Sequence, residues 1–111
     1  MAALNYAKLF EPAALGTSVA TYYTVLAPNT LRNASVRLTN VTAAPVTATV
    51  HAVPLSASAT AANAILYGYA IPANGYIDLS IPTLKVGDTI QALAGAVTSI
   101  TIHCLDGVLF S

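Results

Sequence analysis

From Ser18 onward, apolar and polar residues alternate in short runs separated by turn residues, the period of half-buried β-strands. Val19, Thr21, Tyr23 and Val25 alternate with Ala20, Tyr22, Thr24 and Leu26 until "APNT" stops the run. Leu31 to Val41 predicts a second strand, with Val36, Leu38 and Asn40 on one face and Arg37, Thr39 and Val41 on the other. "TAAP" then reverses the chain, and a third strand sets Val46, Ala48, Val50 and Ala52 against Thr47, Thr49, His51 and Val53.

Pro54 ends that strand, and "LSASATAAN" reads as a loop of small residues. Ile65, Tyr67, Tyr69 and Ile71 mark a fourth strand, closed by the turn "PANG", where Asn74 and Gly75 can take positive φ. Ile77, Leu79 and Ile81 mark a fifth, Thr89 to Ala94 a sixth after "KVGD", and Ser99 to Leu105 a seventh, with Ile100, Ile102 and Cys104 on one face. "DG" at Asp106 and Gly107 reads as a turn before a last apolar stretch, "VLF".

About eight short strands at roughly ten-residue spacing predict an all-β fold, an antiparallel β-sandwich of the jelly-roll kind. No amphipathic helical stretch separates the strands, which excludes barrels and sheets built from strand–helix–strand units. Residues 1–16, "MAALNYAKLFEPAALG", break the alternation, and Glu11-Pro12 interrupts any helix. The division expected is a short N-terminal arm, 1–16, and a sandwich domain, 17–111. The arm's large apolar residues, Leu4, Tyr6, Leu9 and Phe10, suit either a terminus folded over its own sandwich, with one helical turn, or an arm laid on a neighbouring subunit.

Composition changes the picture. Of 111 residues, 56% are hydrophobic and only 7% charged, with no formal net charge. Soluble domains usually carry about 25% charged residues, so the ordinary protection against self-association is missing. Cover by other protein, in an oligomer or a larger assembly, is the simplest remedy. Lys8, Arg32, Arg37 and Lys85 are scattered and form no basic stripe, so nucleic acid is not an expected partner. No apolar run approaches the ~20 residues of a membrane helix, most strand segments are shorter than the ~9–11 residues of a membrane barrel strand, and no secretory signal precedes them. Production in a cytoplasm, without a membrane partner, is the expectation.

Candidate chemistry is sparse. His103 and Cys104 are neighbours on a strand, so they face opposite ways and cannot act as base and nucleophile. Cys104 shares its face with Ile100 and Ile102 and is expected to be a buried, inert thiol. Two His, one Cys and isolated acids lack the spacing of a zinc site, and Asp78, Asp88 and Asp106 each stand beside turn residues. The tripeptides Asn33-Ala34-Ser35 and Asn40-Val41-Thr42 match the glycosylation pattern, but without a secretory signal they read as chance matches. No enzyme activity, cofactor or metal is expected. Tyr67 and Tyr69, two residues apart, should project from one face as a stacking platform or a subunit contact.

The succession "VRLTNVTAAPVTATVHAVPLSASATAANAIL", "IPANGYIDLSI" and "LKVGDTIQALAGAVTSITI" resembles a domain that recurs among virion proteins of tailed phages. With its short hydrophobic arm, the chain looks most like the capsid cement, or staple, proteins of short-tailed phages of the epsilon-fifteen type. The resemblance covers about Leu31 to Ile102 and rests on structural turns. It implies a jelly roll on the outside of the major capsid protein shell that self-associates as a dimer or trimer and locks capsomers together. The capsid and subunit contacts would then fall to Leu4, Tyr6, Leu9, Phe10, Tyr67 and Tyr69. The alternative is a glycan-binding or structural module of a tail fibre or spike, with Tyr67, Tyr69 and Tyr76 near the ligand; a small enzyme would need a polar cleft around Asp78, His51 or His103.

Overall fold

The computed structural model describes residues 4–111. Nine strands lie among them: β1 (Leu4–Tyr6), β2 (Ala13–Ala14), β3 (Ala20–Thr24), β4 (Thr30–Asn40), β5 (Val46–Val53), β6 (Ala64–Ile71), β7 (Tyr76–Ile81), β8 (Thr89–Ala94) and β9 (Ile100–Phe110). They form two antiparallel sheets. In the five-stranded sheet the order is β1-β9-β4-β7, with β2 also pairing β9; in the four-stranded sheet it is β3-β8-β5-β6.

The pairs β2–β9, β3–β8, β4–β7 and β5–β6 nest inside one another, as in a long hairpin folded over on itself. Contacts β4–β9 and β5–β8 then join the two limbs within each sheet. That strand order makes the sandwich a jelly roll, as the sequence predicts.

The core lies where the sheets face each other. Val36 and Leu38 of β4, Ile100 and Ile102 of β9, Val50 of β5 and Ile90 of β8 are all fully buried there, as the period-2 pattern requires. Asn40 is the polar member of this inward row, and every hydrogen-bonding group of its side chain is used. Its Nδ2 donates to the carbonyls of Ala44 (2.8 Å) and Ile71 (3.0 Å), and its Oδ1 accepts from the N–H (2.9 Å) and hydroxyl (2.7 Å) of Thr42. The side chain thereby ties the β4–β5 connection to the end of β6, across the two sheets.

Three readings from sequence are corrected. Asp106-Gly107 is not a turn, because β9 runs unbroken from Ile100 to Phe110. The glycine is needed for a close approach instead: a Cβ on Gly107 would stand 2.9 Å from the Leu9 side chain and 3.0 Å from the Ala7 carbonyl. Second, the helical turn expected in the N-terminal segment is not found among its described residues. Residues of β1 pair with Val108–Phe110 and those of β2 with Thr101 and Ile102, so the described part of the N-terminal segment lies extended along β9. Leu15 is 1% exposed and belongs to the core.

The third concerns β6. Tyr69 pairs with Ala48 and Leu66 with Val50, so Tyr67 and Gly68 together oppose Thr49 in a bulge, with Gly68 at φ 59°. The extra residue reverses the alternation: Tyr67 turns to the outer face, whereas Tyr69 takes the inward side at the sheet edge beside core-facing Ala48.

Candidate interaction surfaces

The molecule measures 49 × 26 × 16 Å. Eleven-residue strands such as β4 and β9 span about 37 Å at the usual rise, so they run along the long axis and the loops gather at its two ends. At one end the β2–β3, β4–β5, β6–β7 and β8–β9 connections are joined by backbone bonds such as Val41 N–H to Ser99 C=O (2.9 Å) and Asn74 N–H to Thr42 C=O (3.0 Å). At the other, Val25 N–H donates to Asp88 C=O (3.0 Å), and the Asp88 carboxylate accepts from the N–H groups of Leu55 and Lys85, both at 2.9 Å. The turn Lys85–Asp88 has Gly87 at φ 90°, the positive value such a turn demands.

Both ends expose aliphatic side chains. Val19, Val41 and Val97 stand out at the first, and Leu26, Leu55 and Val86 at the second. Covering exposed apolar side chains removes their area from water, which favours contact with a partner at these ends.

Charge divides between the two sheets. None of the residues of β3, β5, β6 and β8 is Asp, Glu, Lys or Arg. Arg32, Arg37, Asp78 and Asp106 all belong to the five-stranded sheet, Lys8 and Glu11 to the N-terminal segment, and Lys85 and Asp88 to one turn. Most of these charges are internally matched: Lys8 pairs with Glu11 at 3.1 Å and Arg37 with Asp78 at 2.7 Å, while the Arg32 guanidinium lies 5.4 Å from the Phe110 ring centre. Hydrogen bonding from Arg37 holds the Asp78 carboxyl below its ordinary range and correspondingly raises the guanidinium. The four-stranded sheet thus offers a partner an uncharged, Thr-rich face.

The residues singled out from sequence do not gather in one place. Leu4 and Tyr6 are exposed on β1, Tyr6 to 81%. Leu9 and Phe10 instead pack against the core, Leu9 donating its N–H to Cys104 Sγ (3.4 Å) and Phe10 tilting against Tyr22 at 6.2 Å. Tyr67 and Tyr69 lie on the other sheet, on opposite sides of β6. Tyr76 lies under Arg37, 4.3 Å from ring centre to guanidinium, on the five-stranded sheet and not on that of the β6 tyrosines. Cys104 is only half-buried, and burial together with the nearby thiol pushes the Tyr23 hydroxyl above its usual range.

One feature escaped the sequence reading. The β5–β6 connection folds back over the outer face of the four-stranded sheet and leaves a groove of about 400 Å³ lined by Thr49, His51, Ala61, Tyr67, Gly68 and Leu93, among others. The signal was the pairing of a small-residue loop with Gly between two tyrosines, which is legible as a bulge only when the register is known. Among the described residues no cluster of three or more His, Cys, Asp or Glu could hold a metal ion, and no helix is long and apolar enough to cross a membrane.

No family model matches the chain, and no curated protein matches it. Among solved structures, a chain described as "Structure of infectious bursal disease virus Gx strain" is similar over 99% of this chain and 33% of its own, with 10% identity and a TM-score of 0.49. The present chain therefore spans about a third of the length of that one.

Proposed function

We propose that this chain is a non-enzymatic structural protein of a phage virion, which binds the outer surface of the capsid and staples neighbouring major capsid proteins together. The observation that carries this reading is the pair of loop ends with exposed aliphatic side chains at opposite ends of a 49 Å body. A bridge needs a contact at each end, and Leu26, Leu55 and Val86 are separated from Val19, Val41 and Val97 by the length of the sandwich. The resemblance of the turn sequence to phage cement proteins points the same way.

The chain's low charge, 7% of its residues with no formal net charge, supports self-association as a dimer or trimer. A typical specific interface covers about 800 Å² per partner, and repetition over a lattice multiplies modest contacts by avidity. Leu4 and Tyr6 are available to a partner on β1, whereas Leu9 and Phe10 serve by fixing that segment to its own sandwich.

Leu26→Glu and Val97→Glu, one at each end, test the reading. Each should leave the fold intact and abolish decoration of capsid shells that lack the protein. Undiminished binding by either variant contradicts a staple that uses both ends.

A further inference from the structure

We infer that the groove on the outer face of the four-stranded sheet is a binding site for a neutral carbohydrate, taking one or two sugar rings against Tyr67.

The groove is built rather than incidental. Asn63 donates through Nδ2 to the Ser58 carbonyl (2.9 Å), and its Oδ1 accepts from the Thr60 N–H (3.1 Å), which fixes the amide's orientation. The contact of 3.0 Å between that Oδ1 and His51 Nδ1 then requires the hydrogen on Nδ1. Nε2 is left as an acceptor on a ring that lines the groove, and it has no partner among the described residues. A buried imidazole held in one tautomer by a second side chain is a positioned acceptor for a hydroxyl group.

Tyr67, 70% exposed and turned outward by the bulge at Gly68, also lines the groove. Gly68 N–H donates to Thr49 Oγ1 (3.0 Å), which locks the bulge to β5. Gly68 takes φ 59°, a backbone conformation that favours glycine, and so allows the bulge that turns Tyr67 outward. Leu93 provides an apolar floor. An exposed aromatic face, an oriented acceptor, and a volume of about 400 Å³ suit the C–H face and hydroxyls of a pyranose. No charged side chain lines the groove, and the four strands beneath it carry none, so sialylated or sulfated sugars find no counter-charge.

The test uses the full chain on an array of neutral and acidic glycans, with methyl glycosides of glucose, galactose, mannose and N-acetylglucosamine titrated into the ¹⁵N-labelled protein. A subset of neutral glycans should bind and shift the amides of His51, Ala61, Tyr67 and Gly68. Tyr67→Ala should lower array binding about tenfold while Tyr67→Phe stays within about threefold of the parent, since stacking needs the ring and not its hydroxyl. Both variants should keep the parent's melting temperature. Absence of binding to any neutral glycan, persistence of binding in Tyr67→Ala, or binding confined to acidic glycans overturns the proposal.

Discussion

Arg37 holds Asp78 side-on across β4 and β7, with Nε 2.7 Å from Oδ1 and Nη2 2.9 Å from Oδ2. The two are register partners, and Tyr76 supports the guanidinium from below at 4.3 Å. Arg37, the lone charge of the stretch Val36–Pro54, is thereby answered by an acid that sequence alone could not assign to it. Because the carboxyl is held below its ordinary range by this hydrogen bond, the pair stabilises the fold fully above the unfolded aspartate pKa. That contribution is lost as pH falls through the depressed value. A carbon-detected NMR titration should place Asp78 below ordinary aspartates, and Arg37→Gln should return it to the usual range. Both side chains are partly exposed, so the shift should shrink in high salt.

Gly107 should not accept a side chain. Alanine there would press on Leu9 and on the Ala7 carbonyl, and overpacking of this kind costs about 1–3 kcal/mol. The expected result is a lower urea midpoint together with faster hydrogen exchange at Ala7, whose N–H bonds to the Gly107 carbonyl at 2.8 Å. Unchanged exchange would separate the glycine from the docking of the N-terminal segment.

Asn40→Ala removes four bonds and strands buried partners, the Ile71 carbonyl among them. Each buried group left unpaired costs about 1–3 kcal/mol, so the loss should exceed about 2 kcal/mol in equilibrium unfolding. Asn40→Asp should rescue little, because it keeps the acceptor for Thr42 but loses the donors to Ala44 and Ile71.

Leu15→Ala should destabilise by about 2–5 kcal/mol, the usual cost of a cavity at a fully buried leucine. Deleting residues 2–16 should therefore unfold much of the protein along with removing β1 and β2. Tyr6→Glu, at an exposed position, should leave the free energy of unfolding in urea within about 0.5 kcal/mol of the parent's. If Tyr6 contributes to capsid binding, that variant lowers decoration without lowering stability.

Alternation carried the sequence reading a long way. Val36-Leu38-Asn40, Val46-Ala48-Val50 and Ile77-Leu79-Ile81 were legible because strands with one buried face must repeat every two residues. The pattern fails where one residue is added. Gly68 reverses the facing of Tyr69 relative to Tyr67, and Asp106-Gly107 imitates a turn while serving a strand. In both cases the glycine's purpose depends on a partner strand or segment distant in sequence: Thr49 for Gly68, and Ala7 and Leu9 for Gly107. The groove was hidden for the same reason, since His51, Asn63, Tyr67 and Leu93 meet only once β5, β6 and β8 are in register. Low charge was visible in composition, but its concentration on one sheet was not.

The staple reading is tested most directly by cryo-electron microscopy of the particle that carries this chain. The account predicts jelly-roll density on the shell's exterior, with the Leu26–Leu55–Val86 end on one major capsid protein and the Val19–Val41–Val97 end on a neighbouring capsid or staple subunit. Density confined to the tail, or a subunit touching the shell through neither end, would contradict it.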